Sequence, residues 1–347
     1  DGEQYILTLS SSEIAQTTNP GQFVHITVSD VIAMRRPISV MSVDKENNTF
    51  DLLYKIVGEG TRQLAECKIG DMLSVIGPIG NGFHVTDRKN PLLIGGGVGM
   101  PPMIAVAQQI KNNNKYNPFV VLGSEVPFPF TPQPSEISNT CPSKTYTMPI
   151  LEEWNVACGL ASLQDFEGVY KGYVTDLAKE YLDTLSKEDL SQVEVYSCGP
   201  QPMLEAVAKL ARDYNLPCQV SLEEYMACAV GGCAGCVVEV RTDDGPAMKR
   251  VCVDGPVFDA QTVFQNLCDI EGIEDWSFGD PEALTDGQVA FLRQYLQLGE
   301  LHKAFSNQLE IRKQGYSGLL ARKAGESLNK LPYDHIFVAG MSALTRA

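Results

Sequence analysis

Long apolar runs are missing from the 347-residue chain: none approaches the roughly 18–20 residues that a membrane-crossing helix requires. A basic, apolar leader with a small-residue cleavage site is missing as well, and the chain opens on Asp1 without methionine, which reads as processing or trimming. Basic charge is scarce, 27 Lys and Arg against 43 Asp and Glu. A net charge of −16 does not provide the basic surface that nucleic acid demands. Histidine is scarcer still. His25, His84, His302 and His335 are scattered, with no HExxH and no Ser–His–Asp pattern, and they read as surface or structural residues. Ten cysteines are too few for a disulfide scaffold, and their clustering points to metal in a reducing compartment, with the cytoplasm as the expected location.

What is present divides the chain by pattern. In residues 1–90, short alternating runs (YILTLS, QFVHITV, FDLLYKIV, MLSVIGP) stand between turn clusters such as TNPGQ and KENNT, which predicts a small antiparallel β-barrel. In residues 91–220, PLLIGGGVGMPPMIAVAQQIKNN predicts a buried strand, a glycine-rich turn and a helix, and PFVVLGSE a second buried strand. SQVEVYSCGPQPMLEAVAKLARDYN repeats strand, turn and helix, so a parallel sheet covered by helices is expected, an α/β Rossmann-like nucleotide domain. The proline-rich stretch 126–146 is expected to be an irregular excursion. Residues 221–258 form a small cysteine unit. Residues 259–347 are an extension of no assigned role, with a helix expected in LTDGQVAFLRQYLQLGELHKAFSNQLEIRK and a strand in YDHIFVAG.

Cys228, Cys233 and Cys236 are spaced C-x4-C-x2-C, and Cys252 follows after fifteen further residues. This is the plant-type spacing for a 2Fe–2S cluster, which makes the fold class multi-domain: β-barrel, α/β Rossmann-like domain and a small 2Fe–2S domain. Ala229, Gly231, Gly232, Ala234 and Gly235 keep the loop bare, so that backbone N–H groups can reach cluster sulfides. The alternative is zinc held by the same four thiolates, although zinc more usually shows two C-x2-C knuckles. Cys67, Cys141, Cys158, Cys218 and Cys268 read as small hydrophobes.

LLIGGGVGMPPM places Gly95, Gly96, Gly97 and Gly99 between a strand and a helix, where bare backbone lets a pyrophosphate approach a helix N-terminus. The G-x-G-x-x-G fingerprint fails at Pro102, so a plain tight turn is the competing reading. RRPISV offers a guanidinium and a hydroxyl in an extended segment, and Gly60 and Thr61 in YKIVGEGTRQL open a second possible phosphate cradle. Taken singly, Arg36 could be a surface charge and Ser39 a strand-face hydroxyl.

In order, R-P-x-S, G-E-G-T, GGGxGxPP and C-G-P-x-P-M resemble the ferredoxin–NADP reductase superfamily. SLEEYMACAVGGCAGC with the later VCVDGPVF resembles, more narrowly, the iron–sulfur electron-transfer subunits of NAD-dependent, class 1B dihydroorotate dehydrogenases, over about residues 1–258. The resemblance implies FAD in the barrel: Arg36, Pro37, Ile38 and Ser39 at its ribityl–phosphate part, Leu53, Tyr54 and Lys55 along the flavin, Gly60 and Thr61 near the pyrophosphate. GPIGNGF (77–83) would be the join between domains. Gly97, Gly99 and Met100 would face NAD, with Cys198, Gly199 and Pro200 beside the nicotinamide ring and the four loop cysteines as cluster ligands. The implied function is an oxidoreductase component in pyrimidine biosynthesis. Electrons from an FMN-containing dihydroorotate dehydrogenase catalytic subunit, two copies of each chain in a heterotetramer, would pass through 2Fe–2S and FAD to NAD+. No acid–base residue is called for. Glu125 would disfavour a 2′-phosphate if it lies at the ribose, and NAD or NADP stays open.

Two other readings remain at this point. One is the small FAD/2Fe–2S subunit of an electron-bifurcating transhydrogenase or sulfide dehydrogenase, a group in which one cluster ligand is often aspartate. The other is a non-enzymatic, zinc-containing docking protein. Residues 126–146 and those after Phe258 have no counterpart in the usual short subunit, and are expected to be docking surface or part of a larger polypeptide.

Overall fold

The computed structural model describes residues 4–264 apart from 29–31, 33, 138–142 and 144. The helix and strand expected beyond residue 264, with Cys141, Cys268, His302 and His335, lie outside the described residues. No helix among the described residues is long and apolar enough to cross a membrane.

The first sheet contains β1 (Gln4–Ser10), β2 (Phe23–Ile26), β3 (Arg36–Asp44), β4 (Thr49–Lys55) and β5 (Val75–Ile79), with helices α1 (Ser12–Thr17) and α2 (Glu59–Ala65) in the connections. The strand order is β1-β4-β3-β2-β5, antiparallel throughout, as alternating runs joined by short turns dictate. Val24, Ile26, Val40, Phe50, Leu52 and Leu64 fill its interior. Val40 faces this core and Met41 the next one, and past a register shift between Val40 and Ser42 it is Val43 that packs against the same core as Val40.

The chain continues with β6 (Asn90–Gly96), α3 (Met100–Ile110) after a single 3-10 turn, β7 (Phe119–Gly123), the separate pair β8 (Gln133–Pro134) and β9 (Tyr146–Thr147), and α4 (Pro149–Glu153). Then come β10 (Ala157–Ser162), β11 (Tyr170–Lys171), α5 (Val174–Thr184), α6 (Lys187–Ser191), β12 (Val193–Cys198), α7 (Gln201–Asp213) and β13 (Cys218–Ser221). Strands β6, β7 and β12 are buried from end to end, which suits parallel strands covered on both faces. Gly95 and Gly96 show the two faces: a β-carbon on Gly95 would meet Met103 of α3, and one on Gly96 would meet Met203 of α7. Helix α3 also reaches β3, where the Gln108 side-chain amide donates to Val43 O at 2.9 Å and accepts from Val43 N at 3.0 Å. In the proline-rich stretch the regular structure described is the two-residue pairing of β8 with β9.

The cysteine unit adds a hairpin, β14 (Val237–Thr242) and β15 (Gly245–Arg250), then β16 (Val257–Asp259) and α8 (Ala260–Val263). β16 returns to the large sheet and pairs antiparallel with β13, giving the order β11-β10-β7-β6-β12-β13-β16. The expected parallel sheet is therefore a mixed one, closed at one edge by the cysteine unit. That unit also shares a core with the barrel: Phe23 and Ile79 pack with Met226, Ala229, Cys236, Val251 and Cys252.

Candidate functional site

The cysteine loop turns on left-handed residues at Ala229, Gly231 and Ala234. These turns aim backbone N–H groups at sulfur: Cys233 N donates to Cys228 Sγ and Gly235 N to Cys233 Sγ, both at 3.4 Å. The Cys233 thiol acts on Cys228, and the Cys236 and Cys228 thiols act on Cys252, so the four sulfurs neighbour one another, although no three of them form a metal-binding group among the described residues. Each iron of a 2Fe–2S cluster takes two protein thiolates, and these four cysteines, drawn from one loop and the turn after β15, supply that number. At Cys228 desolvation opposes ionisation, but the N–H groups of Val230, Cys233 and Gly232 and the Cys233 thiol bring the pKa down to about 7. At Cys252 burial and the adjacent Cys236 thiol push it up to about 11.

Two contacts that local sequence did not announce hold this loop. Asn81 Nδ2 donates to Val253 O at 3.0 Å and Asp254 O at 3.2 Å, and Asn81 N donates to Gly255 O at 2.6 Å, so the barrel's exit is tied to the turn after Cys252. Across the loop, Arg250 Nη1 donates to Gly231 O at 3.2 Å. His25 is buried in β2, and among the described residues neither ring nitrogen meets a hydrogen-bond partner in good geometry. Burial, then the charge on Arg35, lowers the His25 pKa.

Arg36, Pro37, Ile38 and Ser39 lie along β3, paired with β2. The Arg36 guanidinium reaches Gly60 in the first turn of α2, while its Nη1 donates to Met34 O at 2.6 Å. Arg36, Gly60 and Thr61 are thus brought together and can hold a phosphate, although the Thr61 hydroxyl is engaged by Val57 N, Gly58 N and Gly58 O. Leu53 is buried in the core between the two sheets. Tyr54 lies in the barrel core and stacks on Tyr5 with ring centroids 5.9 Å apart. Lys55 ends the strand, half-buried.

Gly97, Gly99, Cys198, Gly199 and Pro200 meet at the C-terminal ends of the parallel neighbours β6 and β12, on either side of which the chain order reverses. Open α/β sheets receive ligands at that kind of switch point. A β-carbon on Gly99 would come within 2.3 Å of Cys198 O, so the two turns touch backbone to backbone. Met203 fills the space beside Gly96 and Gly199. Met100 stands apart from this group, with its side chain fully buried in the core. Burial, with a smaller push from Glu223, raises the pKa of the Cys198 thiol, which stays neutral. Glu223 itself is open to solvent yet crowded enough for desolvation to raise its own pKa. Glu125 is exposed just past β7.

Comparison with known proteins gives these groups a common setting. Residues 1–84 match the family described as oxidoreductase FAD-binding domain, and residues 223–264 match the iron–sulfur cluster binding domain of dihydroorotate dehydrogenase B. The second match favours iron and sulfide over zinc. A protein named dihydroorotate dehydrogenase B (NAD(+)), electron transfer subunit, from Caldanaerobacter subterraneus is 36% identical over 245 residues, 71% of this chain and 87% of the relative. A namesake from Bacillus cereus is 36% identical over 262 residues, 73% of this chain and 90% of the relative. Among solved structures, that of an NADH-dependent reduced ferredoxin-NADP oxidoreductase, studied for flavin-based electron bifurcation, aligns with TM-score 0.62 at 25% identity over 79% of this chain and 92% of its own. It has the same architecture, but the extent and identity of the sequence matches decide between branches: the chain belongs to the family of electron-transfer subunits of NAD(+)-dependent dihydroorotate dehydrogenase B.

Proposed function

We propose that this chain passes electrons from the oxidation of dihydroorotate to orotate on to NAD+, as the electron-transfer subunit of a cytoplasmic complex with an FMN-containing catalytic subunit, two copies of each. When bound, the cluster takes electrons singly, the nicotinamide takes them as a hydride pair, and FAD mediates between them. The chain's residues position and tune. Cys228, Cys233, Cys236 and Cys252 ligate the cluster, with Cys233 N and Gly235 N donating to the sulfurs. Arg36, Pro37, Ile38, Ser39, Gly60 and Thr61 hold FAD, the guanidinium over the first turn of α2 receiving phosphate. Gly97, Gly99, Cys198, Gly199 and Pro200 receive the nicotinamide nucleotide, Gly97 offering open, side-chain-free backbone where the turns after β6 and β12 touch. No side chain is asked to move a proton.

The observation that carries this reading is the bare cysteine loop, whose N–H groups donate to Cys228 Sγ and Cys233 Sγ and which packs with Cys236 and Cys252 directly on the barrel. Cys233→Ser tests it in the assembled complex. Dihydroorotate-dependent reduction of NAD+ should stop, while NADH still reduces FAD when an artificial acceptor is supplied. If both activities are lost from a variant that remains folded, the order of the relay is wrong.

A further inference from the structure

The turn that delivers Cys252 is built on one ion pair. Arg250 Nε lies 3.1 Å from Asp254 Oδ2, and the same oxygen accepts from Arg250 N at 2.7 Å. Arg250 O in turn accepts from the N–H groups of Val253, Asp254 and Gly255. The carboxylate therefore holds the Nε side of the guanidinium, and the Nη1 end is free to cross to the cysteine loop. There Nη1 donates to Gly231 O at 3.2 Å and sits 3.3 Å from where a Gly231 β-carbon would be. Gly231 lies between Cys228 and Cys233, and Arg250 is two residues before Cys252. The thiols of Cys252 and Cys236 both act electrostatically on the guanidinium. A permanent positive charge thus stands against the loop at Nη1, with its counter-charge held at the Nε edge.

Reduction adds one negative charge to a 2Fe–2S cluster, so a fixed cation beside it stabilises the reduced form and a fixed anion opposes it. Resting on the assignment of the four cysteines to that cluster, we propose that Arg250 and Asp254 set its reduction potential as an opposed pair, the guanidinium raising the potential and the carboxylate lowering it. Arg250 is then a positioning and tuning residue for electron transfer as well as part of a turn. Its charge decides how readily the cluster accepts an electron, and its reach to Gly231 keeps that charge at the loop.

The test is a redox titration of the cluster in the assembled holoprotein, followed by its paramagnetic resonance signal, after iron and acid-labile sulfide have been assayed. Arg250→Gln should move the midpoint to more negative values and Asp254→Asn to more positive ones, each changing the ratio of reduced to oxidised cluster severalfold at the wild-type midpoint. Arg250→Lys should move it less than Arg250→Gln, and the double variant R250Q/D254N should return towards wild type. A purely structural turn predicts something different, since removing either partner would then act in the same direction. Shifts of the same sign, no shift in either variant, or loss of the cluster from every variant including Arg250→Lys would overturn the proposal. Wild-type protein without iron and sulfide would instead overturn the cysteine assignment on which it rests.

Discussion

Arg36 lays its guanidinium across Gly60, so close that a β-carbon at residue 60 would stand 2.7 Å from Nη2 and 2.8 Å from Nε. A strand and a helix turn far apart in sequence thereby present one cationic, side-chain-free surface. A charge-assisted hydrogen bond to phosphate contributes about 1.5–3 kcal/mol. Arg36→Ala should therefore weaken FAD retention by roughly ten- to a hundredfold, measured by fluorescence titration of the deflavinated protein. Gly60→Ala should act in the same direction by displacing the guanidinium. Unchanged retention in both would remove FAD phosphate from this surface.

The contact of Gly99 with Cys198 leads to a second expectation. A methyl group at residue 99 must push the β6 turn away from the β12 turn, because Cys198 O would lie 2.3 Å from it. Overpacking of this kind costs about 1–3 kcal/mol. Gly99→Ala should raise the KM for NADH severalfold while iron and FAD contents stay constant, and steady-state kinetics with an artificial acceptor would show it.

Asn81 is the tie between the barrel's exit and the Cys252 turn. Each of its side-chain hydrogen bonds is worth about 0.5–1.5 kcal/mol. Asn81→Ala should hasten loss of the cluster absorption in the presence of a chelator, and Asn81→Asp should hasten it further, since a carboxylate would face two carbonyl oxygens. Equal rates in all three proteins would show that the tie does not hold the loop.

His25 predicts a pH dependence. Burial and Arg35 hold its pKa below the ordinary 6.5, so the imidazole is neutral in the fold and binds a proton more readily in the unfolded chain. Arg36 is the other charge acting on it, in the same direction. Stability should accordingly decline as the pH falls through about 6.5, the unfolded value. Urea midpoints at about pH 7.5 and pH 5.5 should differ less in His25→Met than in wild type, where the proton-binding difference survives. Identical pH dependence in the two proteins would contradict it.

The elements legible in the sequence are those with a local signature. Alternation exposed β1, β2, β4 and β5, and continuous apolar runs flanking glycine exposed β6, α3, β7, β12 and α7. β3 is legible only as an extended segment, because the register shift between Val40 and Ser42 breaks its alternation and puts Val43 against the same core as Val40. β10 has no comparable signature, because ACGLAS is short and built largely of small residues, its burial supplied by neighbours rather than by bulk. The return of β16 to β13 has no local mark at all, being three residues paired across the chain. At the site, the cysteines and glycines declare themselves by type and spacing. Asn81, Met203 and Arg250 are ordinary residues locally and take their meaning from contacts with distant backbone or glycine.

The most direct test of the account is the metal and flavin content of anaerobically purified, folded protein. The account predicts about two irons and two acid-labile sulfides per chain, together with FAD and the visible absorption of both groups. A colourless protein with zinc on the four thiolates would contradict it.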